Sequence, residues 1–142
     1  MTDRLFIDTN VLLYAYDRNA GRKHEIAKEL IKKCWLQTSG VISIQVLCEF
    51  FVRATRPNNT IVYAQEAAAI INNLSDYWQI IIPDVFMIQE AIRGSKVYCF
   101  SFWDAMIWAA AKKSGIKKLY TEDFQSGQVV EEVVFVDPFK EV

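Results

Sequence analysis

Four carboxylates stand at positions suited to shared chemistry: Asp8 directly after the apolar Leu5 to Ile7, Glu49 within Val46 to Val52, Asp104 within Phe102 to Trp108, and Asp123 after Tyr120-Thr121-Glu122. Glu49 and Asp104 lie in helical stretches that are apolar on most faces, so both are expected to be at least partly buried. A buried carboxylate without a partner is pushed toward its neutral form or costs several kcal/mol. Apart from Arg53, one helical turn beyond Glu49, no basic residue stands beside either acid at helical spacing. A cation shared among converging acids is the economical partner. Hard oxygen donors, in a chain with one histidine and three cysteines, point to Mg²⁺ or Mn²⁺ rather than zinc.

Each acid also has a purely structural account. Asp8 and Asp123 fit helix or turn caps, and Asp104 completes a capping box opened by Ser101. Glu49 can pair with Arg53 along its own helix. Residue type alone leaves both accounts open.

The elements that must position these groups alternate between strand and helix. Leu5 to Ile7 reads as a short strand, followed by a helix over the apolar Val11 to Tyr16. Ile26, Leu30, Ile31 and Cys34 recur at helical spacing within a charged helix from about Gly21 to Leu36. Val41 to Ser43 is a second strand, and Ser43 caps a helix to about Ala54, which stops before Arg56-Pro57-Asn58-Asn59. Thr60 is expected to cap a helix through Leu74, Gln79 to Ile82 a third strand, and Asp84 a helix ending near Gly94.

Ser101 opens an alanine-rich helix closed by Lys112 and Lys113 before Gly115. Lys117 to Tyr120 and Val133 to Val136 complete five strands. Consecutive parallel strands need crossover helices, so this order predicts one α/β domain over residues 1–142: a three-layer α/β/α sandwich around a parallel sheet of about five strands. Ligands of such open sheets bind beyond the carboxyl ends of the strands, where Asp8 and Asp123 both fall.

Composition sets the outer limits. A chain of 142 residues buries roughly two-thirds of its unfolded surface. Its 52% hydrophobic and 23% charged content is that of a globular protein rather than a disordered one. The unpaired spacing of Cys34, Cys48 and Cys99 excludes a zinc or CxxC pattern, and they are read as reduced packing residues. No run is long and apolar enough for a membrane span, and a cytoplasmic location is expected. The net charge of −1 gives no global pull on nucleic acid, although metal neutralisation of four acids would leave the remaining surface net positive. Arg53, Arg56, Arg93 and Lys96 are candidate phosphate contacts. His24, the single histidine, is assigned to a charged surface. Trp35, Trp103 and Trp108 are assigned to packing or a dimer surface.

FIDTN at 6–10, the Ser-x-x-Val-Leu-x-Glu-Phe helix at 43–50, SFWDAMIWAAA at 101–111 and LYTEDFQSGQ at 119–128 occur in an order that resembles the PIN-domain family over nearly the whole chain. The likeness is greatest to the VapC-type toxins of toxin–antitoxin pairs. This resemblance implies a small Mg²⁺- or Mn²⁺-dependent endoribonuclease with Asp8, Glu49, Asp104 and Asp123 at its acidic positions. It also implies Thr9, Asn10 and Thr121 as supporting groups, an RNA substrate cut to 5′-phosphate and 3′-hydroxyl ends, an antitoxin partner and a homodimer. Within Thr-Glu-Asp, Asp123 is the expected fourth acid and Glu122 the alternative.

Two rivals belong to other classes. An aspartyl-phosphate enzyme would use Asp8 as nucleophile and expects a second Asp two places on, where this chain has Asn10. A non-catalytic module would keep its acids for Mg²⁺ yet act only by binding RNA or protein.

Overall fold

The computed structural model describes residues 3–140, so the outermost residues of the expected 1–142 domain, 1–2 and 141–142, lie outside the described residues. Six strands form one sheet: β1 (Leu5–Ile7), β2 (Gly40–Ser43), β3 (Gln79–Ile81), β4 (Lys118–Tyr120), β5 (Val129–Val130) and β6 (Val133–Val136). Their spatial order is β3-β2-β1-β4-β6-β5, parallel throughout except for β5 against β6. Five parallel strands match the expectation. The sixth is a two-residue partner closing a tight hairpin, too short to leave a periodic pattern in the sequence.

Between the strands lie α1 (Thr9–Tyr14), α2 (Arg22–Gln37), α3 (Ile44–Ala54), α4 (Ala64–Tyr77), α5 (Val85–Tyr98) and α6 (Phe102–Lys113). The chain runs outward from β1 through β2 to β3, then returns to β4 on the other side of β1. Right-handed crossovers therefore put α1 to α4 on one face and α5 with α6 on the other. The packing pairs agree: α1 meets α2 and α3, α3 meets α4, and α5 meets α6. β1 is central and wholly buried, and Phe6, Ile7, Ile42, Leu119 and Phe135 form the middle of the core.

Two boundaries differ from expectation by four residues. Thr60 does not cap α4; its hydroxyl donates to the Arg56 carbonyl. The Ile61 and Val62 amides both bond to the Ala54 carbonyl, holding this segment against the end of α3, so α4 starts only at Ala64. Gly94 does not end α5, which continues to Tyr98 with Cys99 left-handed at its cap. Its role is space: a Cβ at Gly94 would lie 2.7 Å from the buried Trp108 ring. Of the cysteines only Cys34 is packed inside, while Cys48 and Cys99 are exposed, which corrects their common assignment as packing residues. No helix among the described residues is long and apolar enough to cross a membrane.

Candidate active site

The reversal of strand order beside β1 opens a crevice at the carboxyl ends of β1 and β4, the usual ligand position in such sheets. Asp8 stands at its floor. Its amide donates to the Tyr120 carbonyl at 3.0 Å, tying the end of β1 to that of β4. Extended backbone at Asp8 makes it the N-cap of α1, with Oδ1 accepting from the Thr9 amide at 2.7 Å. Oδ2 accepts from the Thr121 hydroxyl at 2.7 Å. With only 4% of its surface exposed, Asp8 is pushed by burial up to about 7. The two hydrogen bonds oppose that rise, and the charges of Asp123 and Asp104 add to it.

The three supporting residues link the acids to one another. Thr9, whose amide serves Asp8, donates its hydroxyl to Glu49 Oε1 at 2.7 Å. The Thr121 hydroxyl donates to Asp8 and accepts from the Asp123 amide at 3.1 Å. Asn10 Nδ2 reaches both Asp123 oxygens at 3.0 Å. Burial first, then the fields of Asp104 and Glu122, raise the Asp123 carboxyl above its ordinary range, while Arg53 and Asn10 act against the rise.

Asp104 lies half-buried in the first turn of α6, where its amide donates to Ser101 Oγ at 3.2 Å. The capping account of this residue thus rests on its backbone, and its carboxylate is left to act on Asp8 and Asp123 by charge. Gln45 Nε2 bonds to the Trp103 carbonyl at 3.1 Å, fastening the start of α6 to the start of α3. Glu49 is half-buried, and among the described residues no ion pair joins it to Arg53.

Glu122 is committed elsewhere. Tyr14 donates to its Oε1 at 2.6 Å and Lys23 to its Oε2 at 2.7 Å. This clamp draws residues 14, 23 and 122 together from distant segments, and no local sequence signal announces it. Arg93, a candidate phosphate contact, is likewise engaged, by Glu90 and Glu131. His24 donates from Nδ1 to the Tyr14 carbonyl at 2.9 Å. Trp108 is fully buried and Trp103 is 62% exposed beside Asp104.

The donor set suits a hard divalent cation, being carboxylate oxygens gathered around one acid that burial first, and like charges second, push toward neutrality. The spacing is more open than the expected four-acid cluster: among the described residues no three acidic, histidine or cysteine side chains stand ready to hold one ion. The physical reason is that the Asp8, Glu49 and Asp123 carboxylates are each held by a hydroxyl or amide partner of their own rather than by a common centre. Asp8, Asp104 and Asp123 are joined by field, and Glu49 through Thr9. A larger cavity of about 920 Å³, lined by Tyr16, Trp35 and Tyr63, includes none of the four acids.

Residues 5–130 match the PIN domain family model. No curated protein matches the chain. Among solved structures, the VapC20 toxin of Mycobacterium tuberculosis, described as cleaving the sarcin-ricin loop, is 24% identical with a TM-score of 0.66, covering 92% of this chain and 98% of that one. A toxin–antitoxin complex from Klebsiella pneumoniae is 22% identical with a TM-score of 0.68, covering 96% and 98%. DNA-bound VapBC from Salmonella typhimurium is 15% identical with a TM-score of 0.67, covering 96% and 99%. At these identities the likeness to solved structures is one of fold. The family match itself runs from β1 through β5 and takes in Asp8, Glu49, Asp104 and Asp123, and the chain belongs to the PIN-domain family.

Proposed function

We propose that this protein is a Mg²⁺- or Mn²⁺-dependent endoribonuclease and the toxin of a type II toxin–antitoxin pair. PIN-domain proteins are generally nucleases that use divalent metal ions. The observation that carries the reading is Asp8: a carboxylate buried at the switch point of the sheet, hydrogen-bonded by Thr9 and Thr121, in the field of two further acids. Burying like charges together is costly for folding and is offset when a cation binds among them.

Asp8, Asp104 and one further carboxylate, Asp123 or Glu49, would hold the ion. When bound, a divalent ion supplies an acidified water and polarises the scissile phosphate. The protein's own residues supply orientation. The Thr121 hydroxyl fixes Asp8 and, through the Asp123 amide, the loop that carries the fourth acid. Thr9 aims Glu49, and a carboxylate not taken up by metal, Glu49 or Asp123, would receive the proton of the attacking water. In-line attack at phosphorus would leave 5′-phosphate and 3′-hydroxyl ends. The toxin–antitoxin structures from Klebsiella pneumoniae and Salmonella typhimurium support an antitoxin partner for this chain. The exposed apolar residues Val85, Phe86, Ile88 and Ile92 along α5 support a homodimer.

Asp104→Asn keeps the side-chain volume and the Ser101 cap, which uses the Asp104 amide, but removes a charge from the site. Cleavage of mixed RNAs with Mg²⁺ is expected to fall at least about 100-fold with an unchanged circular dichroism spectrum. Equal turnover by the variant would end this assignment. RNA binding without cleavage by the unmodified protein would favour the non-catalytic module.

A further inference from the structure

Beside the carboxylates lies a second, separate feature: a cavity of about 180 Å³ lined by Asn10, Tyr14, Asp17, Arg53, Arg56 and Asn59, among others. It adjoins the candidate active site through Asn10, the residue whose amide holds both oxygens of Asp123. Arg53 stands in the last turn of α3, where a helix dipole favours a cation. The dipole does not account for Arg56, which lies beyond the helix end and turns to the same cavity. Among the described residues neither guanidinium enters an ion pair. Asp17, the acid of this lining, spends one carboxylate oxygen on the Asn19 amide. A protein of net charge −1 thus sets two guanidinium forks that make no ion pair among the described residues next to its candidate carboxylate site.

We propose that Arg53 and Arg56 form a cradle for a backbone phosphate of the RNA strand adjoining the scissile one. The inference rests on the nuclease reading and adds to it the residues that hold the strand in register. Planar guanidinium forks bind phosphate oxygens in pairs, which fixes orientation as well as supplying charge. At about 30 Å³ per water, the cavity has room for a phosphate group and its bridging waters. Arg53 also offsets negative charge at Asp123, so the cradle and the acids together balance an otherwise repulsive approach for a polyanion. Arg53 and Arg56 are positioning residues, acting on the strand rather than on the reacting bond.

The test uses full-length protein in the Asp104→Asn background with Mg²⁺, so that a labelled mixed-sequence oligoribonucleotide stays intact, and reads its Kd over a KCl series. The Arg53→Gln/Arg56→Gln double variant is expected to lose about tenfold in affinity and about 0.7 of the slope of log K against log salt, the share of one single-strand phosphate. Replacement of both by Lys should restore the slope but only part of the affinity, because charge returns without the fork. Lys118→Gln, at the opposite end of β4, should change neither, and unchanged thermal unfolding of the variants excludes a folding defect. With Asp104 restored, the double variant should show a higher KM and nearly unchanged kcat. If the unmodified protein cleaves RNA while the double variant keeps affinity, slope and KM, the cradle is wrong and the nuclease reading stands. If RNA binds with an arginine-dependent slope but is never cut, the cradle stands and the nuclease reading falls. Absence of any RNA binding overturns both.

Discussion

Asp8 carries an internal conflict between stability and activity. Its folded carboxyl titrates at about 7, against an ordinary value of 3.8. The folded state therefore keeps a proton that the unfolded chain has released between those limits. That proton favours folding at low pH, and the advantage is lost as pH rises toward 7 and beyond. In metal-free protein the cost above pH 7 is on the order of a few kcal/mol. Asp8→Asn keeps an oxygen for the Thr9 amide and carries no charge. With chelator present, its denaturation midpoint should exceed that of the unmodified protein by a margin that grows from pH 5 to pH 8, while RNA cleavage disappears. A margin independent of pH would mean that Asp8 is not the strained acid of this fold.

At the scale of elements, the β5–β6 hairpin shows a similar trade. Glu131 and Glu132 both have positive φ, 50° and 76°, in a two-residue turn that favours Asn-Gly. Glu131 is compensated: its carboxylate accepts from Arg93, Lys112 and Tyr98, fastening the hairpin to α5 and α6. No hydrogen bond or ion pair is seen for the Glu132 side chain among the described residues. Glu132→Gly should therefore stabilise the protein by about 0.5–1 kcal/mol in urea unfolding, since glycine removes the left-handed penalty. Glu131→Gln should instead destabilise it by about 1–2 kcal/mol through the lost charge-assisted bonds. Equal effects of the two substitutions would show that the network does not hold the turn.

Across the whole molecule, the reversal of strand order gathers acids from β1, α3, α6 and the loop after β4 into one crevice. A cation bound only there is linked to global unfolding by mass action. Mg²⁺ at 100 times its Kd should add about 2.7 kcal/mol of stability, seen as a rise in Tm that chelator reverses. In Asp104→Asn the rise should be much reduced. A Tm indifferent to Mg²⁺ and Mn²⁺ in the unmodified protein would argue against a resident ion.

The alternation of strands and helices was legible in the sequence because hydrophobic period and capping residues act over a few positions, as at Ser43, Asp84 and Ser101. The acids were legible through FIDTN, FWDA and TED, whose order resembles a known family. What the acids touch was decided only by tertiary structure. Thr121 meets Asp8 and Asn10 meets Asp123 across 113 residues of chain, and no local rule specifies such pairs. The commitment of Glu122 to Tyr14 and Lys23, the capture of Arg93 by Glu90 and Glu131, and the cavity shared by Arg53 and Arg56 are of the same kind. Local hydrogen bonding and side-chain periodicity write the elements into the sequence, whereas charge pairing depends on which surfaces the packed core brings face to face.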